Sequence, residues 1–64
     1  MYFLKWTKRG GGPGELTLGR AGQAISERKL MIEAGMSAVR VEDENQHIFS
    51  QAELTTLAEA ESHI

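Results

Sequence analysis

The chain of 64 residues contains no cysteine. No disulfide and no thiolate metal site can form, a cysteine nucleophile is excluded, and nothing points to an oxidising compartment. Long apolar runs are missing as well. The uninterrupted runs, Leu30 to Ile32 and Met1 to Leu4, fall far short of the roughly 20 residues that span a bilayer. The apolar start, Met1 to Trp6, is interrupted by Lys5 and has neither a signal-peptide core nor a small-residue cleavage site. The expectation is a soluble, cytoplasmic protein without membrane contact.

Groups that carry chemistry are equally sparse. The two histidines, His47 and His63, have no partner histidine three or four residues away. A metal would have to borrow Asp43, Glu44 or Glu61 without any recognisable spacing, so both histidines read as exposed and solvated. None of Ser26, Ser37, Ser50 and Ser62 lies in a Gly-x-Ser-x-Gly elbow. The adjacent acids Glu42, Asp43 and Glu44 have, in so short a chain, no deep cleft to dry and perturb them. The reading is a protein that is not an enzyme, with no cofactor and no metal.

Glycine is the one residue present in a cluster, Gly10-Gly11-Gly12 and Gly14 around Pro13. A Walker loop needs Gly-Lys-Ser/Thr at its end, and here Glu15 and Leu16 follow Gly14. The dinucleotide fingerprint fails too, because counting from Gly10 its third glycine falls on Glu15. The cluster reads as a hairpin loop in which Pro13 fixes one φ and the glycines supply positive φ.

The clearest periodicity lies between Ala21 and Glu42. Ala21, Ala24, Ile25, Arg28, Met31 and Ile32 share one arc of a helical wheel, with Leu30 and Ala34 beside it, and Gly35 supplies the left-handed residue that ends a helix. The helix start falls between Ala21 and Glu27, with Ser26 as an alternative N-cap. From Ala38 to Glu42 the period becomes 2, with Val39 and Val41 on the core side. Upstream, Tyr2 to Lys8 reads as a strand whose apolar face is Tyr2, Leu4 and Trp6, and Glu15 to Gly19 as a second strand pairing back on it. Downstream, Asp43 to Gln46 reads as a turn into a very short fourth strand at Ile48-Phe49.

The last element has the most explicit local signal. Ser50-Gln51-Ala52-Glu53 is a capping box, with Phe49 and Leu54 placed as its hydrophobic staple, so a helix is expected from Gln51 to about Ala60. Its apolar stripe, Leu54, Leu57 and Ala58 with Ile64 beyond, is thin. Glu59 and Glu61 oppose the dipole at its end, where fraying is expected.

These elements give one α+β domain spanning residues 1–64, an antiparallel sheet of three to four strands with a central and a C-terminal helix, in the order ββαββα. A domain this small buries only about 60% of the surface its unfolded chain exposes, and self-association is one remaining way to bury more. A homodimer is therefore expected. Charge is unevenly spread: residues 1–40 carry a net +4 and residues 41–64 a net −6. Such a bipolar chain suits a partner of mixed charge, or a second copy of itself.

The candidate binding residues are Phe3, Lys5, Lys8 and Arg9, an aromatic interleaved with bases on the first strand and its loop. Single-stranded nucleic acid is recognised by such stacking platforms. The footprint is small and the chain is acidic overall, and Trp6 lies on the apolar face, which favours a core role. The function expected is a small protein-interaction module or regulator acting by surface contact, with single-strand binding by Phe3, Lys5, Lys8 and Arg9 as the alternative. By analogy alone, a compact, cofactor-free product of this kind suits a phage or mobile element that occupies a host protein, and such an origin is part of the expectation.

Overall fold

Tyr2–Thr7 (β1) and Pro13–Leu18 (β2) form an antiparallel hairpin, joined by a turn in which Lys8 accepts from the Gly11 N–H and donates to the Gly12 carbonyl. Gly11 and Gly12, at φ 90° and 92°, supply the positive φ this short hairpin loop requires. The chain continues through helix α1 (Ala21–Glu33), strand β3 (Ser37–Glu42) and helix α2 (Gln51–Ser62). This computed structural model describes residues 1–62; the sequence readings of His63 and Ile64 lie outside them.

The sheet order is β2-β1-β3, all antiparallel, so the fold is α+β in the order ββαβα and not ββαββα. The expected fourth strand at Ile48-Phe49 is absent. Ile48 makes a single bridge to Glu42, and the Phe49 N–H reaches the Val41 carbonyl at 2.9 Å. Two local structures leave no length for a ladder. Asp43 Oδ1 accepts from the Asn45 and His47 N–H groups, folding the turn with Gln46 at φ 64°, and Ser50 is already committed to capping α2.

Residues directly opposite in an antiparallel pair share a face. The register Leu4↔Leu16, Leu4↔Val41 and Tyr2↔Leu18 therefore puts these apolar side chains beneath the helices. Leu4, Ala24, Val41 and Leu54 form the buried centre, with Tyr2, Trp6, Leu18, Ile25, Met31, Val39 and Phe49 packed around it. The second strand forms as expected but begins at Pro13, two residues before Glu15. Trp6 takes its core role and lies over Gly14, where an added β-carbon would fall inside the indole.

Helix α1 begins at Ala21, and Ser26 is not its cap, since the Ser26 hydroxyl donates to the Gly22 carbonyl inside the helix. It ends as expected. Gly35, at φ 84°, donates to the Ile32 carbonyl and Met36 to that of Met31, the paired bonds of a Schellman motif. The inward stripe is narrower than the sequence implied. Ala21 and Ala24 are fully buried, whereas Leu30 is 56% exposed and Ile32 49%. A sheet of three strands and one neighbouring helix cover only part of the arc. Ile32 is left on the flank, beside a groove of about 350 Å³ that it lines with Ile25, Arg28, Lys29, Glu33 and Gln51.

Strand β3 departs from regular alternation at its start. Lys5 pairs with Arg40 and Thr7 with Ser37, so two residues of β3 oppose Trp6 alone. Ala38 sits there at φ 54°, and Arg40 Nη1 holds the Ala38 carbonyl at 2.9 Å. This is a β-bulge, and it lies on the sheet's outer strand.

Candidate interaction surface

Helix α1 packs on one side of the sheet, and α2 packs against α1, adding Leu54 to the same core. The opposite side carries Phe3 and Lys5 from β1, Glu15 and Thr17 from β2, and Arg40 and Glu42 from β3, as the cross-strand register dictates. The loop after β3 folds along one margin. Phe3, Lys5, Glu15, Asp43, Glu44 and Gln46 line a shallow depression of about 380 Å³ there.

Glu42 organises the charges on this face. Only 7% of the residue is exposed, yet its carboxylate has partners at both oxygens: Lys5 Nζ at 3.5 Å and Arg40 Nε at 2.8 Å. Burying a carboxylate is costly unless it is paired and hydrogen-bonded, and here both oxygens are engaged. Among the described residues no buried polar side-chain atom lacks a hydrogen-bond partner.

The four candidate binding residues do not lie together. Phe3 and Lys5 share the outer face, half-buried, with Lys5 held by Glu42. Lys8 and Arg9 are exposed at the hairpin turn. Arg9 folds across the end of α1, its Nε 3.7 Å from where a β-carbon on Gly35 would stand. A guanidinium in that position complements the partial negative charge of the helix C-terminus.

His47 is exposed, as its place in a turn implies, but it is not simply solvated. Its Nε2 stands 2.9 Å from Glu53 Oε2, and its ring meets Phe49 edge-on with centroids 4.9 Å apart. Glu53 also completes the capping box. Its Oε1 accepts from the Ser50 N–H at 2.8 Å while the Ser50 hydroxyl accepts from the Glu53 N–H at 3.1 Å. These bonds, that from the Ser50 backbone foremost, hold the Glu53 carboxyl below its ordinary pKa. Among the described residues, no three of His, Cys, Asp and Glu cluster as metal ligands would.

Two ties between distant elements were missed in the sequence. Arg28 Nη1 donates to Gln51 Oε1 at 2.9 Å, and Glu61 caps the start of α1 through the Ala21 N–H. Only the second had a signal. The residue before α1 is Arg20, which offers no acceptor, so a helix starting at Ala21 needs one from elsewhere.

No helix of the described residues is long and apolar enough to cross a membrane. In comparisons with known proteins, no family model, no curated protein and no solved structure matches the chain.

Proposed function

We propose that this chain is a small, non-enzymatic interaction module that works in the cytoplasm by surface contact, on a protein partner and as a homodimer. The observation that carries this reading is the mixed charge around Phe3. On the sheet face that no helix covers, an aromatic ring is surrounded by Lys5 and Arg40 on one hand and by Glu15, Glu42, Asp43 and Glu44 on the other. A protein surface can offer both signs in return. A polyphosphate backbone offers only one, and it meets four carboxylates here.

The alternative, single-strand binding, has a weaker footing. It needs Lys5, and Lys5 is engaged by Glu42; the exposed bases Lys8 and Arg9 then provide two phosphate contacts, too few for affinity at moderate salt. The deciding experiment combines two measurements on the purified chain. Capture of partners from native cell extract is compared between the parent and Phe3→Ser, with circular dichroism confirming that the variant folds. Labelled single-stranded oligonucleotides are titrated in parallel at two salt concentrations. A protein retained by the parent and lost with Phe3→Ser supports the reading. Micromolar oligonucleotide binding that collapses with salt and is abolished by changing Lys8 and Arg9 to Glu overturns it.

A further inference from the structure

The two outer strands of the sheet are treated differently. The free edge of β3 is guarded along its length: the Ala38 bulge and the Arg40 guanidinium take its first half, and Phe49 and Ile48 return alongside Val41 and Glu42 in its second. Bulges and covering segments are how a sheet prevents pairing with another chain.

The edge of β2 has no bulge and no covering segment, and only Pro13, at its very start, blunts it. Because Lys8 and Gly12 close the hairpin, alternation along the ladder turns the backbone of Gly14, Leu16 and Leu18 toward β1 and that of Pro13, Glu15 and Thr17 outward. Pro13, without an N–H, fits an outward position at a strand's start. Among the described residues, no hydrogen bond to the backbone of Glu15 or Thr17 comes from outside the ladder. Helix α1 lies mainly over β1 and β3, which leaves Leu16 36% exposed on the helix side of β2.

We infer that β2 pairs antiparallel with β2 of a second copy, about a two-fold axis through Leu16, joining two sheets into one of six strands. The inference rests on the homodimer proposed above and names its interface. A two-fold perpendicular to the sheet keeps both helix layers on one side and allows only pairings of outward with outward residues. Four registers remain, and an axis at Gly14 opposes Pro13 to Glu15 in both central pairs, where the proline's missing N–H is lost twice. An axis at Glu15 sets two carboxylates directly opposite, which is repulsive. An axis at Thr17 runs the pairing into Gly19 and the start of α1 and leaves the Pro13 end unpaired. An axis at Leu16 places Glu15 opposite the partner's Thr17 twice over. It brings the two Leu16 side chains together in the closely spaced pair, and opposes Pro13 to the partner's Gly19, where a proline's missing N–H is least felt.

The chain's lack of cysteine makes this register directly readable. In Leu16→Cys, the introduced thiols face each other across the axis and air oxidation should give a covalent dimer on a non-reducing gel; Thr17→Cys should not, since its partner residue is Glu15. Thr17→Pro removes an outward N–H without touching the β1 ladder and should weaken dimerisation at least tenfold in sedimentation, with the circular dichroism of the fold retained. Oxidised dimer from Leu16→Cys and not from Thr17→Cys supports the inference, even where Thr17→Pro fails to fold. A covalent dimer from Thr17→Cys and none from Leu16→Cys overturns the Leu16 register by moving the axis to Thr17, whereas a dimer that persists in Thr17→Pro overturns the β2 interface and leaves self-association standing. A parent that sediments as a monomer throughout the micromolar range overturns both.

Discussion

Glu61, the penultimate residue of the last helix, accepts the Ala21 backbone N–H with both carboxylate oxygens, at 2.9 and 3.1 Å. The acid expected to oppose its own helix dipole instead satisfies an orphan donor at the positive end of the other helix. With the Arg28–Gln51 bond, it ties α2 to α1 near both ends of α2.

Replacing Glu61 with Ala should therefore cost about 1 kcal/mol, the usual loss for a helix cap, and Glu61→Gln should cost less because an acceptor remains. Urea midpoints measured at unchanged denaturant slope give the comparison. Equal stability of Glu61→Ala and the parent would show that water replaces the carboxylate without loss.

Tyr2 shares this neighbourhood. Burial, and secondarily the charge of Glu61, raise its phenol above the ordinary value. A raised folded value favours the neutral phenol, so its contribution is complete below the unfolded value near 10 and is lost as pH rises through the folded one. The parent should lose stability at alkaline pH, and Tyr2→Phe should flatten that limb. Chemical denaturation at a series of alkaline pH values is the check.

At acid pH the sign reverses, through Glu53. Its folded pKa is lowered, so the stabilisation from its capping bonds is present above the ordinary carboxylate value and disappears as pH falls through the folded one. Ser50→Ala should cost about 1 kcal/mol at neutral pH, and the penalty should shrink as acidification protonates Glu53 and weakens the same cap. A Ser50→Ala penalty that stays constant from neutral pH to below about 4 would contradict the reciprocal box.

Two glycine-to-alanine changes should move stability in opposite directions. At Gly14 the new methyl collides with the Trp6 indole, an overpacking loss of about 1–3 kcal/mol accompanied by a shift in tryptophan fluorescence. At Gly22, on the open side of α1, nothing stands within 4 Å, and alanine should add up to about 1 kcal/mol. Thermal melts of the two variants beside the parent decide it.

In the core, Leu54→Ala should cost about 2–5 kcal/mol, because Leu54 is fully buried. Ile32→Ala should cost less than about 1.5 kcal/mol, since half of Ile32 already faces water. Denaturation midpoints that rank Ile32 above Leu54 would restore the broader helix face implied by the sequence.

What could be read in advance divides along local and non-local lines. The Ser50–Glu53 box, the Gly35 stop and the Tyr2–Leu4–Trp6 face depend on residues within a turn or strand of one another, and each formed as the spacing implied. The short fourth strand failed because two apolar residues fit a bridge as well as a strand, and the competing Asx turn at Asp43 depends on backbone geometry that alternation does not encode. The exposure of Ile32 depends on how far α2 reaches along α1. At the candidate surface, Phe3 and Lys5 were legible as outward-facing, but the Lys5–Glu42–Arg40 cluster requires the β1–β3 register, which no local pattern supplies.

Strand β1 comes first in sequence and lies in the middle of the sheet, and this sets an order on folding. Its partnership with β2 closes through the Thr7–Pro13 pair, a short loop, and can form on the microsecond scale of an isolated hairpin. Its partnership with β3 joins Phe3 to Glu42, so the entropy of a much longer loop must be met before any contact there repays it, unless α1 has already shortened the path. Substitutions in the hairpin turn should then act mainly on the folding rate, and those at the Ala38 bulge mainly on the rate of unfolding.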